Sequence, residues 1–222
     1  MRVAVIEFPG SNCDRDTVHV LKESLGMDAD LVWHNDFEGS SYDAVILPGG
    51  FSFGDHLRAG IIAAHSPATK AVTQMARDDK PVLGICNGFQ ILIEAGLLPG
   101  ALLRNAGLKF VCKWTTLKVE TNHSAFTCAF EKDAKIRMPI AHNEGRYFAD
   151  DDCLNALAET GQVVLRYDRE NPTGTAQGIV GVSNEKGNVV GMMPHPERAS
   201  DSALGGTDGL RVFESMVEWA KC

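Results

Sequence analysis

The 222-residue sequence has no long basic run, no apolar stretch of membrane-spanning length, no Cys-x-x-Cys pair, no internal repeat and no low-complexity linker. Each absence narrows what the chain can do. Formal net charge is −8, from 21 basic and 29 acidic residues, and no cluster of Lys or Arg stands out. Binding to a nucleic-acid backbone relies on such clusters, so no nucleic-acid partner is expected, and the acidity serves solubility. The lack of a long apolar run predicts no membrane association. Met1-Arg2-Val3-Ala4-Val5-Ile6-Glu7 reads as a short strand, without the apolar core and small-residue cleavage site of a signal peptide. Cysteines stand at 13, 86, 112, 128, 153 and 222, a spacing that suits neither a metal site nor a disulfide framework. A reducing cytoplasm is the expected location. No Gly-x-x-x-x-Gly-Lys-[Ser/Thr] loop is present, so no nucleotide cofactor is expected in this chain.

What the first hundred residues do contain is alternation. Short β-branched runs at 2–8, 30–34, 43–47 and 81–85 read as strands, separated by helix-like segments at 14–25, 57–77 (broken near Ser66-Pro67) and 89–95. Strands alternating with helices predict a mostly parallel sheet covered on both faces. The second half is strand-rich, at 109–120, 136–140 and 163–167, with a hairpin over 179–193 turning at 184–188. An amphipathic helix over 208–220 would bury Leu210, Phe213, Val217 and Ala220. With no boundary in sight, one α/β domain over residues 1–222 is expected, its parallel sheet carrying an antiparallel extension.

Gly84-Ile85-Cys86-Asn87-Gly88 lies directly after a strand and directly before a helix. A nucleophile on such a turn has a strained backbone, and the flanking glycines let chain and substrate approach. The helix N-terminus beyond favours thiolate over thiol. The N–H of Asn87 is placed to receive an oxyanion. The Pro48-Gly49-Gly50-Phe51 turn follows another strand of the same sheet, so it should lie beside Cys86 and offer further backbone N–H groups. A cysteine nucleophile needs a base and an orienting carboxylate. Among seven histidines, His195 in Pro194-His195-Pro196-Glu197 stands out, with Glu197 two residues on and able to share one side of an extended segment. The other five cysteines read as ordinary structural thiols.

Together these motifs resemble the class I, triad-type glutamine amidotransferases, whose Cys-His-Glu triad sits in this chain order on a flavodoxin-like sheet. The segments Phe8-Pro9-Gly10-Ser11-Asn12-Cys13-Asp14, Gly50-Phe51-Ser52-Phe53-Gly54-Asp55, Pro139-Ile140-Ala141-His142-Asn143-Glu144-Gly145-Arg146-Tyr147 and Gly191-Met192-Met193-Pro194-His195-Pro196-Glu197-Arg198 span nearly the whole chain. They are similar, more narrowly, to glutaminases of that family that serve the formylglycinamidine step of purine synthesis. The resemblance implies catalysis by Cys86, His195 and Glu197, oxyanion N–H groups from Gly50 and Asn87, and a glutamine pocket bordered by Gly49, Phe51 and Gln90. It further implies L-glutamine as substrate, and a large synthetase subunit with a small accessory subunit as partners, ATP and Mg being used there. Asn143, His56 and Thr173 depart from the family pattern, where glycine, tyrosine and asparagine are usual. A glutaminase serving another synthetase, a stand-alone cysteine hydrolase and a non-catalytic binding module are the competing readings.

Overall fold

The alternation of the first half builds a parallel sheet. In the computed structural model, which describes residues 1–221, the parallel strands are β1 (Arg2–Glu7), β2 (Asp28–Trp33), β3 (Ala44–Leu47) and β4 (Val82–Ile85). They are connected by α1 (Asp14–His19, continuing as a π-turn over Val20–Ser24), α2 (Ile61–Ala64) and α3 (Pro67–Arg77), and β4 feeds α4 (Asn87–Glu94). The second half adds β5 (Ala101–Leu103), β6 (Val111–Val119), β7 (Lys135–His142), β8 (Arg146–Phe148), α5 (Asp151–Glu159), β9 (Val163–Tyr167), β10 (Ile179–Ser183), β11 (Val189–Met192) and α6 (Leu210–Trp219). Cys222 lies outside the described residues.

The main sheet has nine strands in the order β2-β1-β3-β4-β11-β10-β9-β6-β7. β11 pairs parallel with β4, and β10, β9, β6 and β7 then follow antiparallel, which is the expected extension. β5 and β8 form a separate two-stranded sheet. Residues Val3–Ile6 of β1 and all of β3 are fully buried, as strands covered on both faces must be. Their continuous apolar character follows from that burial.

Strand order sets the site. β1 lies between β2 and β3, so chain connections leave it in opposite directions and a crevice opens at the carboxyl ends of β1 and β3. The loops there are tied together: Ser11 bridges Gly50, Phe51 N donates to Gly10 O at 2.9 Å, and Cys13 N donates to Gly49 O at 3.1 Å. Gly50 has φ +155°, and a Cβ on it would stand 2.7 Å from Ser11 Cα. Only glycine permits that approach.

Three expectations change. Helix over 57–77 begins only at Ile61, as α2, and breaks as expected at Ser66, whose side chain caps α3 by accepting from Thr69 N. α5 was not expected at all. α6 buries Val212, Phe213, Ser215 and Met216, whereas Ala220 is exposed, so the inward face is rotated from the expected one. The cause is polar: Ser215 Oγ accepts from Ala129 N at 3.0 Å, which fixes the roll of the helix against the 124–130 segment.

Candidate active site

Cys86 sits between β4 and α4 with φ 49° and ψ −102°. A non-glycine residue there stores roughly 1–3 kcal/mol of strain, and its neighbours must enforce it. They do so by close packing. A Cβ on Gly84 would meet Gly88 C at 2.6 Å, and one on Gly88 would meet Leu47 O at 2.0 Å. Cys86 N donates to Met192 O at 2.8 Å, tying the turn to the end of β11. Gly88→Ala should therefore push α4 off β3 and cost roughly 1–3 kcal/mol, read as a lower denaturant midpoint with slowed alkylation of Cys86.

β11 ends at Met192, and the chain passes through Pro194 to His195, whose N–H donates to Pro139 O at 2.9 Å. Glu197 reaches His195 through a 3-10 turn over Pro196–Arg198 and not along the extended segment expected from sequence. The result is a 2.6 Å contact from Nδ1 to Oε1, with both side chains essentially buried. Burial opposes the charged imidazole, but the Glu197 carboxylate and the nearby Cys86 sulfur outweigh it, and His195 is held well above its ordinary pKa. With Nδ1 committed to Glu197, Nε2 is buried without a hydrogen-bond partner and left for Cys86, which is close enough to act on the ring electrostatically.

A second thiol lies behind the ring. Cys13 Sγ is 3.9 Å from His195 Nδ1, and it accepts from Arg198 Nη2 at 2.9 Å. Its own S–H donates to Asn12 Oδ1 at 3.2 Å. Burial pushes the Cys13 thiol up, against the pull of His195 and Arg198. Ligand-type atoms of Cys13, His195 and Glu197 lie within 4.8 Å of one another. Arg198 already covers the sulfur with a fixed positive charge, and the Glu197–His195 bond uses two of the three donors, so this set is poorly suited to a metal ion.

Cys86 opens into a cleft of about 260 Å³ lined by Gly50, Phe51, Asp55, Gln90, Arg104 and the Ala141–Glu144 segment. A chain of hydrogen bonds frames it. Asn87 Oδ1 accepts from Ser52 N, Asn87 Nδ2 donates to Gln90 Oε1, and Gln90 Nε2 donates to Glu144 O. Asp55 is half-buried beside Glu144, and burial first, then the like charge, raises its pKa to about 6. A larger cavity, about 490 Å³, opens on the far side of Glu197 and Arg198. Cys86 does not line it, so the smaller cleft is the one that serves the chemistry.

Of the residues singled out in the sequence, the structure gathers Cys86, Gly50, Phe51 and Gln90 at this cleft, while His195 and Glu197 are buried and line no part of it. Asn87 starts α4, with its side chain buried in the supporting network. Gly49 packs under the His195 ring: a Cβ there would stand 2.8 Å from Cε1. Asn143 lines the cleft, whereas Thr173 is buried and bonded to Tyr167 Oη at 3.5 Å. Sequence reasoning missed Asp55, Arg104 and Arg198, and it set Cys13 aside. The Phe8–Asp14, Gly50–Asp55 and Gly191–Arg198 motifs already contained three of the four.

The chain matches the family model of the CobB/CobQ-like glutamine amidotransferase domain over residues 1–220. It belongs to the class I glutamine amidotransferases and is a glutaminase. It is similar to a chain in the structure of PurLQS from Thermotoga maritima, at 49% identity and a TM-score of 0.91, covering 99% of this chain and 98% of that one. Two more distant structures share the fold. A glutamine amidotransferase from Thermotoga maritima gives a TM-score of 0.59 at 16% identity, covering 100% of this chain and 82% of that one. The glutaminase domain of Trypanosoma brucei CTPS with bound acivicin gives 0.65 at 14% identity, covering 100% and 94%.

Proposed function

We propose that this chain is the glutaminase subunit of an ATP-dependent synthetase that converts formylglycinamide ribonucleotide to formylglycinamidine ribonucleotide in purine biosynthesis. The likeness to a PurLQS chain along nearly its full length carries this reading. Its partners are a large synthetase subunit and a small accessory subunit, with ATP and Mg used in the synthetase. This chain acts as a single cytoplasmic domain over 1–222, and binds neither nucleic acid nor membrane. Among the described residues no helix is long and apolar enough to cross a bilayer.

Cys86 is the nucleophile. Its thiolate attacks the side-chain carbonyl of glutamine, and the oxyanion rests on backbone N–H groups of Asn87 and Gly50. His195 gives its proton to the departing ammonia, and the glutamyl thioester is cleaved by water that His195 then activates. Glu197 holds the tautomer and stabilises the imidazolium. The far end of the cleft carries charge of both signs for the rest of the amino acid: Asp55 and Glu144 would receive the α-ammonium, and Arg104, 3.3 Å from Glu144 Oε1, the α-carboxylate. Below about pH 6 Asp55 takes up a proton and loses its attraction for that cation. kcat/KM for glutamine should therefore fall on the acid side through that range. In Asp55→Asn this limb should flatten and kcat/KM at neutral pH should drop.

Large apolar side chains are exposed in the segments that carry the cleft's lining residues: Phe51, which lines it, Leu57 two residues beyond Asp55, Leu103 at the end of β5 next to Arg104, Leu108 and Phe110 a few residues on, and Phe148 on β8, the strand paired with β5. Exposed apolar groups concentrated around one opening favour docking of a protein partner there. Ammonia protonates in water, so delivery into a docked synthetase fits the same face. Ammonia release by the purified chain should rise sharply on adding the synthetase, ATP and formylglycinamide ribonucleotide. Strong turnover that ignores the synthetase would leave the hydrolase and remove the pathway.

A further inference from the structure

Arg198 has two acceptors in reach and bonds only one. Its Nη2 donates to Cys13 Sγ at 2.9 Å, while its Nε stands 3.7 Å from Glu197 Oε1, an ion pair without a hydrogen bond. The competing acceptor is strong. Glu197 is fully buried, its Oε1 is taken by His195, and its Oε2 has no hydrogen-bond partner. A guanidinium would normally fork across such a carboxylate with two parallel bonds. Here a neutral thiol, anchored through Asn12 Oδ1 and by its backbone N–H on Gly49 O, takes the donor instead.

We infer that Cys13 is a positioning residue: by engaging Arg198, it keeps the guanidinium off Glu197 and so reserves the Glu197 charge for His195. The inference rests on the reading of His195 and Glu197 as the acting pair. Its logic is charge competition. A carboxylate forked by Arg198 offers less stabilisation to an imidazolium, so His195 would lose its proton at lower pH. The other charged and titratable groups around this pair are Cys86 on the far side of the ring, His142 from β7, and Asp16 from α1 beside Arg198. None of them lies between Arg198 and Glu197. Cys13 also touches the ring itself, and a Cβ at Gly49 would meet both Cys13 Sγ, at 3.1 Å, and His195 Cε1, so the sulfur and the imidazole share one tightly packed wall.

The test uses the glutaminase assembled with its synthetase and follows kcat and KM for glutamine across pH. Cys13→Ala should leave KM unchanged, lower kcat at neutral pH by roughly 3- to 10-fold, and move the basic limb of the profile down by about one unit. Cys13→Ser supplies an oxygen acceptor for Arg198 and should keep the wild-type limb. Cys13→Ala combined with Arg198→Ala removes the competitor and should return the limb toward its wild-type position. A Cys13→Ala profile superimposable on wild type overturns the inference. So does a double variant that keeps the full shift, because the loss would then be one of packing alone. Failure of the underlying reading looks different: His195→Ala would retain wild-type turnover, whatever the Cys13 variants do.

Discussion

Cys86→Ala is expected to reduce glutamine hydrolysis to the uncatalysed level, whereas Cys13→Ala stays within about tenfold of wild type. The contrast matters because two buried cysteines flank one imidazole. Cys13 lies on the Nδ1 side, where Glu197 already holds the ring proton, and its thiol is directed at Asn12. It contributes nothing to the cleft lining. Cys86 has the opposite surroundings: a strained turn, the N-terminus of α4 behind it, and a cleft in front. Those features present the sulfur to substrate and supply oxyanion donors at the same point. Ammonia release by the two variants, with selective alkylation of the wild type followed by peptide mapping, reads the difference directly. Equal loss in both variants would place the nucleophile in doubt.

Glu197→Gln should lower kcat by roughly 10²–10⁴ with little change in KM. The carboxylate is fully buried, has no hydrogen-bond partner at Oε2, and stands 2.6 Å from Nδ1, so its charge acts mainly on His195. An amide of the same shape keeps the packing but cannot stabilise the imidazolium that donates to the leaving ammonia. Half of the glutamine orientations would also present an N–H to Nδ1 and favour the wrong tautomer. Steady-state kinetics on the assembled enzyme check this. A loss smaller than tenfold would mean that His195 is held and charged by something other than Glu197.

The elbow and the His-Pro-Glu segment were legible because each is a local pattern with a mechanical reason. Glycine two residues either side of Cys86 is what the contacts of Gly84 with Gly88 and of Gly88 with Leu47 require. The parallel half of the sheet was legible for the same kind of reason, since strands covered on both faces are written as unbroken apolar runs. Cys13 was not. It meets His195 across 182 residues of chain, through the crossing of two loops, and no spacing rule reports such a contact. Asp55 and Arg104 belong to loops whose backbone path decides what the side chain faces. α5 was missed because it buries only Leu154 and Leu157, too few to give a periodic signal. Its cap was readable: Asp150 accepts from Cys153 N at 2.8 Å, with Asp151 and Asp152 in the first turn.

The central claim is that ammonia leaves glutamine through a covalent intermediate on Cys86. Acid quenching of the assembled enzyme during turnover with labelled glutamine, followed by proteolysis and mass spectrometry, tests it most directly. A glutamyl group is expected on the peptide carrying Cys86, absent in Cys86→Ala and retained in Cys13→Ala. Label on the Cys13 peptide, or turnover with no labelled cysteine, would contradict it.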